Sequence, residues 1–198
     1  MRLANSDTNL CLLAANNNGA AFETIYKMFY VRLLQFAEAM LKNRADAEEV
    51  VEDVFIKLWA NRTTLPAIKN LNYYLFVSVK HGSLNHLEKR KKNNTINIDE
   101  ANISVGQLVM NPEQCIISFE NMKKIQLAIE NLPPKCQLIF KLVKEDSLKY
   151  KEVANLLNLS VKTIETQMSL ALSKIGQSLK YHFNAGYVQM PQQKLKSK

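Results

Sequence analysis

Five carboxylates stand within the eight residues DAEEVVED: Asp46, Glu48, Glu49, Glu52 and Asp53. Such a cluster could hold a metal for hydrolysis, or it could dock a basic protein surface. Glu49, Glu52 and Asp53 fall at i, i+3 and i+4, so a helix would put them on one face. Like charges so placed repel by about a few tenths of a kcal/mol per pair, and a position near the helix N-terminus offsets part of that. No histidine or second carboxylate cluster accompanies them. His81, His86 and His182 have no metal-ligand partners at useful spacing, and Cys11, Cys115 and Cys136 form no CxxC pair. No nucleophile constellation or Gly-rich phosphate loop is present. The expectation is no catalytic residue, no metal and no cofactor. A solvated, well-capped helix and a docking face remain as the two readings of the cluster.

A second stretch, KEVANLLNLSVKTIETQ from Lys151 to Gln167, has the spacing of a helix-turn-helix. Val153, Ala154 and Leu157 give its first helix an inner face. Ala154 is small where two helices would cross. Asn158 falls in the turn, where positive φ is often needed and Asn tolerates it better than most residues. Leu159 plugs the corner, Ser160 can cap the second helix, and Ile164 and Met168 pack back. Ser160, Lys162, Thr163, Glu165, Thr166, Gln167 and Ser169 are then the candidates for touching phosphates or base edges.

These segments need helices to hold them. The chain has 198 residues, 47% of them apolar, with only five Gly and five Pro. That composition favours an all-α fold of one large or two small domains. Helical spacing places one helix from Ala20 to Leu41. Another follows from about Asp46, as N-cap with Glu49 in a capping box, to Ala60. After a loop from Asn61 to Asn70, a third runs from about Asn72 to Arg90, burying Tyr74, Leu75, Val77, Val79, Leu84 and Leu87. Residues 93–111 read as a flexible linker, and helical periodicity restarts at about Pro112. Pro134 suits the first turn of a helix reaching Glu145. A recognition helix extends to about Phe183, and 184–198 read as a disordered basic tail.

Charge is unevenly spread. The net charge is +8 overall, but −2 over residues 1–60, +6 over 61–98, −4 over 99–120 and +8 over 121–198. Two basic blocks around an acidic one suggest two footprints on nucleic acid. No apolar run approaches the roughly 20 residues a spanning helix needs. MRLANSDTNL is not a signal peptide, and an odd number of cysteines fits a reducing cytoplasm.

With these segments in order, the chain resembles the extracytoplasmic-function sigma factors of the sigma-70 family. GAAFETIYKMFYVRLLQFA is similar to the family's first helix, and DAEEVVEDVFIKLW to the stretch that docks on the polymerase clamp helices. LNYYLFVSVKHGSLNHLEKRKK is similar to the helix that reads the minus-ten element, and LPPKCQLIFKLVKEDSLKYKEVANLLNLSVKTIETQMSLALSKI to the domain that reads the minus-thirty-five element. Low Gly, high Lys and Asn, and the wording SVKTIE resemble the branch found in Bacteroidetes. The resemblance implies a non-enzymatic, cytoplasmic specificity subunit with domains at 1–92 and 112–183. Its partners would be core RNA polymerase, promoter DNA and an anti-sigma factor, often membrane-anchored, with no membrane insertion of its own.

By the same resemblance, Asp46, Glu49, Glu52, Asp53 and Lys57 would contact core polymerase. Tyr73, Phe76, Lys80, His81, Asn85, Lys89 and Arg90 would meet minus-ten DNA, with Asn61 to Asn70 as the loop that captures a flipped base. His81 stands where the family often has Asn, Lys149 where it often has a capping Ser, Thr166 where it often has Asn, and Leu170 where it often has a basic residue. The competing reading is a helix-turn-helix repressor or activator with a helical sensor domain.

Overall fold

The structure, a computed structural model, describes residues 3–93 and 116–187, with side chains described for 8–91 and 123–179. The described elements are helical: α1 (Leu3–Ala15), α2 (Gly19–Leu41), α3 (Arg44–Ala60), a short 3-10 helix (Arg62–Ala67), α4 (Leu71–Asn93), α5 (Ile116–Glu130), α6 (Pro134–Lys144), α7 (Tyr150–Leu157) and α8 (Val161–Tyr187). The expected linker and the helix start at Pro112 lie outside the described residues. Helix α8 continues past Phe183, where the tail was expected to begin, to Tyr187; residues 188–198 lie outside the described residues.

The first four helices pack around a shared core. Asn17 turns the chain with φ of 64°, and the Asn18 side chain caps α2 by accepting from the Ala21 N–H at 3.0 Å. Ile25, Phe29, Leu33, Phe36 and Ala37 form the buried stripe of α2. Lys42, at φ 54°, ends the helix by donating its N–H to the Glu38 carbonyl. The cap of α3 lies one turn earlier than the sequence suggested. Asn43, not Asp46, is the N-cap, and its side chain accepts from the Asp46 N–H at 3.2 Å. Asp46 instead occupies the first turn, where its charge suits the helix dipole.

Val50, Val51, Val54, Phe55 and Leu58 bury the inner side of α3. Behind it, a Cβ added to Gly82 of α4 would lie 2.9 Å from Val50 Cγ1. Glycine therefore sets how closely α3 and α4 approach. Two assignments on α4 reverse. Phe76, expected to face DNA, is 1% exposed and meets the Phe36 ring edge-on at 5.2 Å. Tyr74 and Leu84, expected in the core, are 45% and 40% exposed. The interval from Asn61 to Asn70 is also less open than a loop, since the 3-10 helix fills most of it and buries Leu65.

The last four helices form the second packed group, with α8 against α5, α6 and α7. Pro134 opens α6 as expected. Gln137, buried, donates from Nε2 to the Ile129 carbonyl at 2.9 Å and so ties α6 to α5. Val153, Ala154 and Leu156 give α7 its buried face, while Leu157 packs only at its border. The one-residue change reflects the 100° step of a helix, which moves the centre of a short stripe easily. The two groups meet where α7 packs against α4.

Candidate nucleic-acid and protein interfaces

The outer side of α3 presents two chemistries together. Glu49, Glu52, Asp53 and Lys57 are exposed, with Lys57 Nζ 3.8 Å from Asp53 Oδ2. Ile56 lies among them and is 65% exposed. It also borders an open groove of about 510 Å³ with Phe22, Tyr26, Phe55 and Trp59. Phe22 and Trp59 approach at 4.9 Å, and the Arg62 guanidinium lies 4.7 Å from the Trp59 ring centre. The nearby Tyr30 hydroxyl is pushed above its usual range, first by burial and then by Tyr26, Glu48 and Glu52. An apolar strip rimmed by carboxylates suits a protein helix carrying basic residues. The sequence reading missed Ile56. Its signal was available: it is the apolar residue of α3 that falls off the inward stripe.

Asp46 does something different from the other acids. It is half-buried and faces α4, with Oδ2 3.3 Å from Arg90 Nη1 and 3.5 Å from His86 Nε2. Arg44 pairs with Glu48 at 2.9 Å at the same end of α3. A cleft of about 600 Å³ opens between α3 and α4, lined by Glu49 and Asp53 on one side and Asn85, His86, Lys89 and Arg90 on the other. The acidic and basic helices thus lie side by side across this cleft, and Asp46 joins them.

Along α4, His81, Asn85, Lys89 and Arg90 are exposed, and Tyr73 and Lys80 are half-buried. Tyr73 packs against the core, and Asn70 caps the helix start by accepting the Tyr73 N–H at 3.1 Å. Tyr74 is the aromatic ring that solvent reaches on this helix's first turn. Lys80 Nζ is engaged, donating to Asn158 Oδ1 at 2.9 Å and to the Asn155 carbonyl at 3.3 Å.

The helix-turn-helix has the geometry its residues imply. Asn158 adopts φ 54° and ψ 44°, and the Leu159 N–H reaches the Ala154 carbonyl at 2.9 Å. In place of a capping Ser at Lys149, the Glu152 carboxylate accepts the Lys149 N–H at 2.8 Å. Ser160 Oγ accepts the Thr163 N–H at 3.0 Å and lies 2.9 Å from the Thr163 hydroxyl. Ile164 and Met168 are buried. Lys162, Glu165, Thr166 and Ser169 are exposed on the outer face, while Thr163 and Gln167 are half-buried. Lys162 lies 3.5 Å from Glu165, and the Thr166 hydroxyl donates to the Lys162 carbonyl. Beneath, the buried Cys136 thiol donates to the Gln167 carbonyl at 3.3 Å, and burial raises its pKa.

Among the described residues there is no group of three or more His, Cys, Asp or Glu placed to hold a metal. No helix among them is long and apolar enough to cross a membrane.

Comparison with known proteins matches the stretches of chain that carry both surfaces. The family description "Sigma-70 region 2" matches residues 25–93, which take in α3 and α4, and "Sigma-70, region 4" matches 122–175, which take in the helix-turn-helix. The chain is 24% identical over 155 residues to the ECF RNA polymerase sigma factor SigW of Bacillus subtilis, covering 75% of this chain and 83% of that protein. It is 24% identical over 165 residues to SigM of the same organism, covering 83% and 96%. A solved sigma factor RpoE, in complex with the anti-sigma factor NepR from Bartonella quintana, aligns with a TM-score of 0.47 at 19% identity, over 80% of this chain and 96% of that one. The chain belongs to the sigma-70 family, as a sigma factor of the extracytoplasmic-function type.

Proposed function

We propose that the chain is a dissociable, non-catalytic specificity subunit acting in the cytoplasm. It would bring core RNA polymerase to promoters with a minus-ten and a minus-thirty-five element. The observation that carries this reading is the outer face of α3, where Glu49, Glu52 and Asp53 surround exposed Ile56. Polymerase docks there: the carboxylates select a basic partner, and burying Ile56 supplies roughly 1.5–3 kcal/mol. Lys57 sits at the border of the contact. Asp46 acts from behind, holding Arg90 against α3.

In this reading α4 meets melted minus-ten DNA through Lys80, His81, Asn85, Lys89 and Arg90, most of them by phosphate contact. Tyr74 takes the stacking role that buried Phe76 cannot fill, with Tyr73 beside it. Ser160, Lys162, Thr163, Glu165, Thr166, Gln167 and Ser169 address the minus-thirty-five duplex from the start of α8. Residues 1–92 and 112–183 form the two working domains. An anti-sigma protein is the third partner.

The sensor-domain repressor is not favoured, because the sigma region 2 match includes the docking helix. Promoter-dependent initiation with purified core polymerase tests the proposal. Added chain should confer initiation on promoters that core alone ignores, and a helix-turn-helix repressor would not.

A further inference from the structure

The packed side of α4 changes chemistry along its length. Residues three, four, seven and eleven apart share one side of a helix. Val79, Ser83, His86 and Arg90 stand at that spacing, and Val79 and Ser83 are fully buried. His86 and Arg90 therefore continue an inward stripe. His81, Asn85 and Lys89 form a different row at four-residue intervals, and all three are exposed. At about 100° per residue, Arg90 lies roughly 180° around the helix axis from His81.

The two inward polar residues meet one carboxylate. Asp46 Oδ2 of α3 accepts from Arg90 Nη1 at 3.3 Å and lies 3.5 Å from His86 Nε2. The Asp46 and His86 side chains are each 23% exposed, and that of Arg90 is 47% exposed. At Gly82 the backbone of α4 comes close to Val50. Beyond it the helices part around the cleft that Glu49, Asp53, Asn85 and Lys89 help to line. Asp46 rejoins them at His86 and Arg90, one and two turns further along α4. A lone surface ion pair contributes little, but two donors converging on one partly buried carboxylate make a network.

We propose that Asp46, His86 and Arg90 form a brace that fixes the last turns of α4, and that Arg90 serves minus-ten recognition by this hold rather than by touching DNA. The inference rests on the reading proposed above and sharpens its division of labour. His81, Asn85 and Lys89 address the strand from this end of the helix, and the brace sets their angle and register. Without it, the helix end would have to be ordered at each binding event, which weakens binding. Asp46 is then a positioning residue, acting on DNA through α4. Charge alone predicts the reverse effect. Asp46 is an anion beside a basic helix, so if it acted only through the electrostatic field, removing it would strengthen DNA binding.

Hydrogen exchange of the full chain tests the brace without polymerase. Asp46→Asn, which keeps the side-chain shape, and Arg90→Ala should each speed amide exchange over residues 86–93 at least threefold. Exchange over residues 71–79 should stay within about twofold of the wild type. Unchanged exchange over 86–93, or equal acceleration of both segments, would overturn the brace. The DNA role is tested with saturating core polymerase and a promoter duplex that the wild-type holoenzyme selects from random-sequence DNA. Each variant should bind that duplex at least threefold more weakly, and the double variant no more weakly than the weaker single one. Over a salt series, Arg90→Ala should keep the wild-type slope of log affinity against log salt. Lys89→Ala should lose ~0.7–0.9 from that slope, as for one phosphate contact. A slope reduced by Arg90→Ala, additive losses, or tighter binding by Asp46→Asn would each overturn the proposal. If the wild-type holoenzyme selects no promoter, the sigma-factor reading fails instead, and hydrogen exchange still decides the brace.

Discussion

Helices α3 and α4 lie side by side, yet their outward residues differ in how they are specified. On α3 one side is buried, and everything off that stripe faces outward: Glu49, Glu52, Asp53, Ile56 and Lys57. On α4 burial comes from several directions, since it packs against α2, α3 and α7. Helical spacing alone therefore identifies the outward face of α3 but misplaces Tyr74 and Phe76 on α4. Each has three neighbours, since α3 packs against α2, α4 and the 3-10 helix; the difference is that the apolar residues of α3 fall mostly on one stripe, while α4 also carries Tyr74 and Leu84 on its exposed side.

The largest expected effect separates two rings of α4. Phe76→Ala should destabilise the fold by about 3–5 kcal/mol, as for a fully buried aromatic. Tyr74→Ala should change chemical denaturation by less than about 1 kcal/mol, yet slow promoter opening. Equal destabilisation by both would break the distinction between the core-facing and solvent-facing sides of this helix.

Gly82→Ala tests the other side of the pairing. Its new methyl would meet Val50 at 2.9 Å, and overpacking there should cost about 1–3 kcal/mol. Restoration by Val50→Ala in the double variant would tie that cost to the α3–α4 spacing.

The contact between the two groups gives a pH prediction. Asp146 is raised from 3.8 to about 6 by burial, against the opposing pull of Arg32 and Lys141 and with added repulsion from Glu145. The native state thus holds the proton longer than the unfolded chain. The stability this group allows is fully present below pH 3.8 and is lost as pH rises through about 6. Asp146→Asn should flatten that part of the stability profile, measured by denaturant unfolding between pH 4 and 7.

A smaller effect is expected from the hydroxyl of Ser83, which is buried without a partner. Ser83→Ala should be neutral or slightly stabilising.

Much of the fold was legible because its elements are long and its stops are local. Pro134 opens α6 and Asn158 takes the positive φ its position required. The start of α3 was misplaced because two capping patterns overlap: Asn43 with Asp46, and Asp46 with Glu49. Local sequence supports either, and the structure uses the first. Ile56 was legible in principle, as an apolar residue off its stripe. The Arg32–Asp146 and Lys80–Asn158 contacts were not, since pairs separated by 114 and 78 residues leave no periodic trace.

Docking on polymerase through the exposed face of α3 is open to direct measurement. Titrating core polymerase with fluorescently labelled wild type and with Asp53→Arg tests it most directly, with binding of an isolated minus-thirty-five duplex as the control for folding. Asp53→Arg should bind core at least tenfold more weakly than the wild type, with duplex binding unchanged. Equal affinity of the two proteins for core polymerase would contradict it.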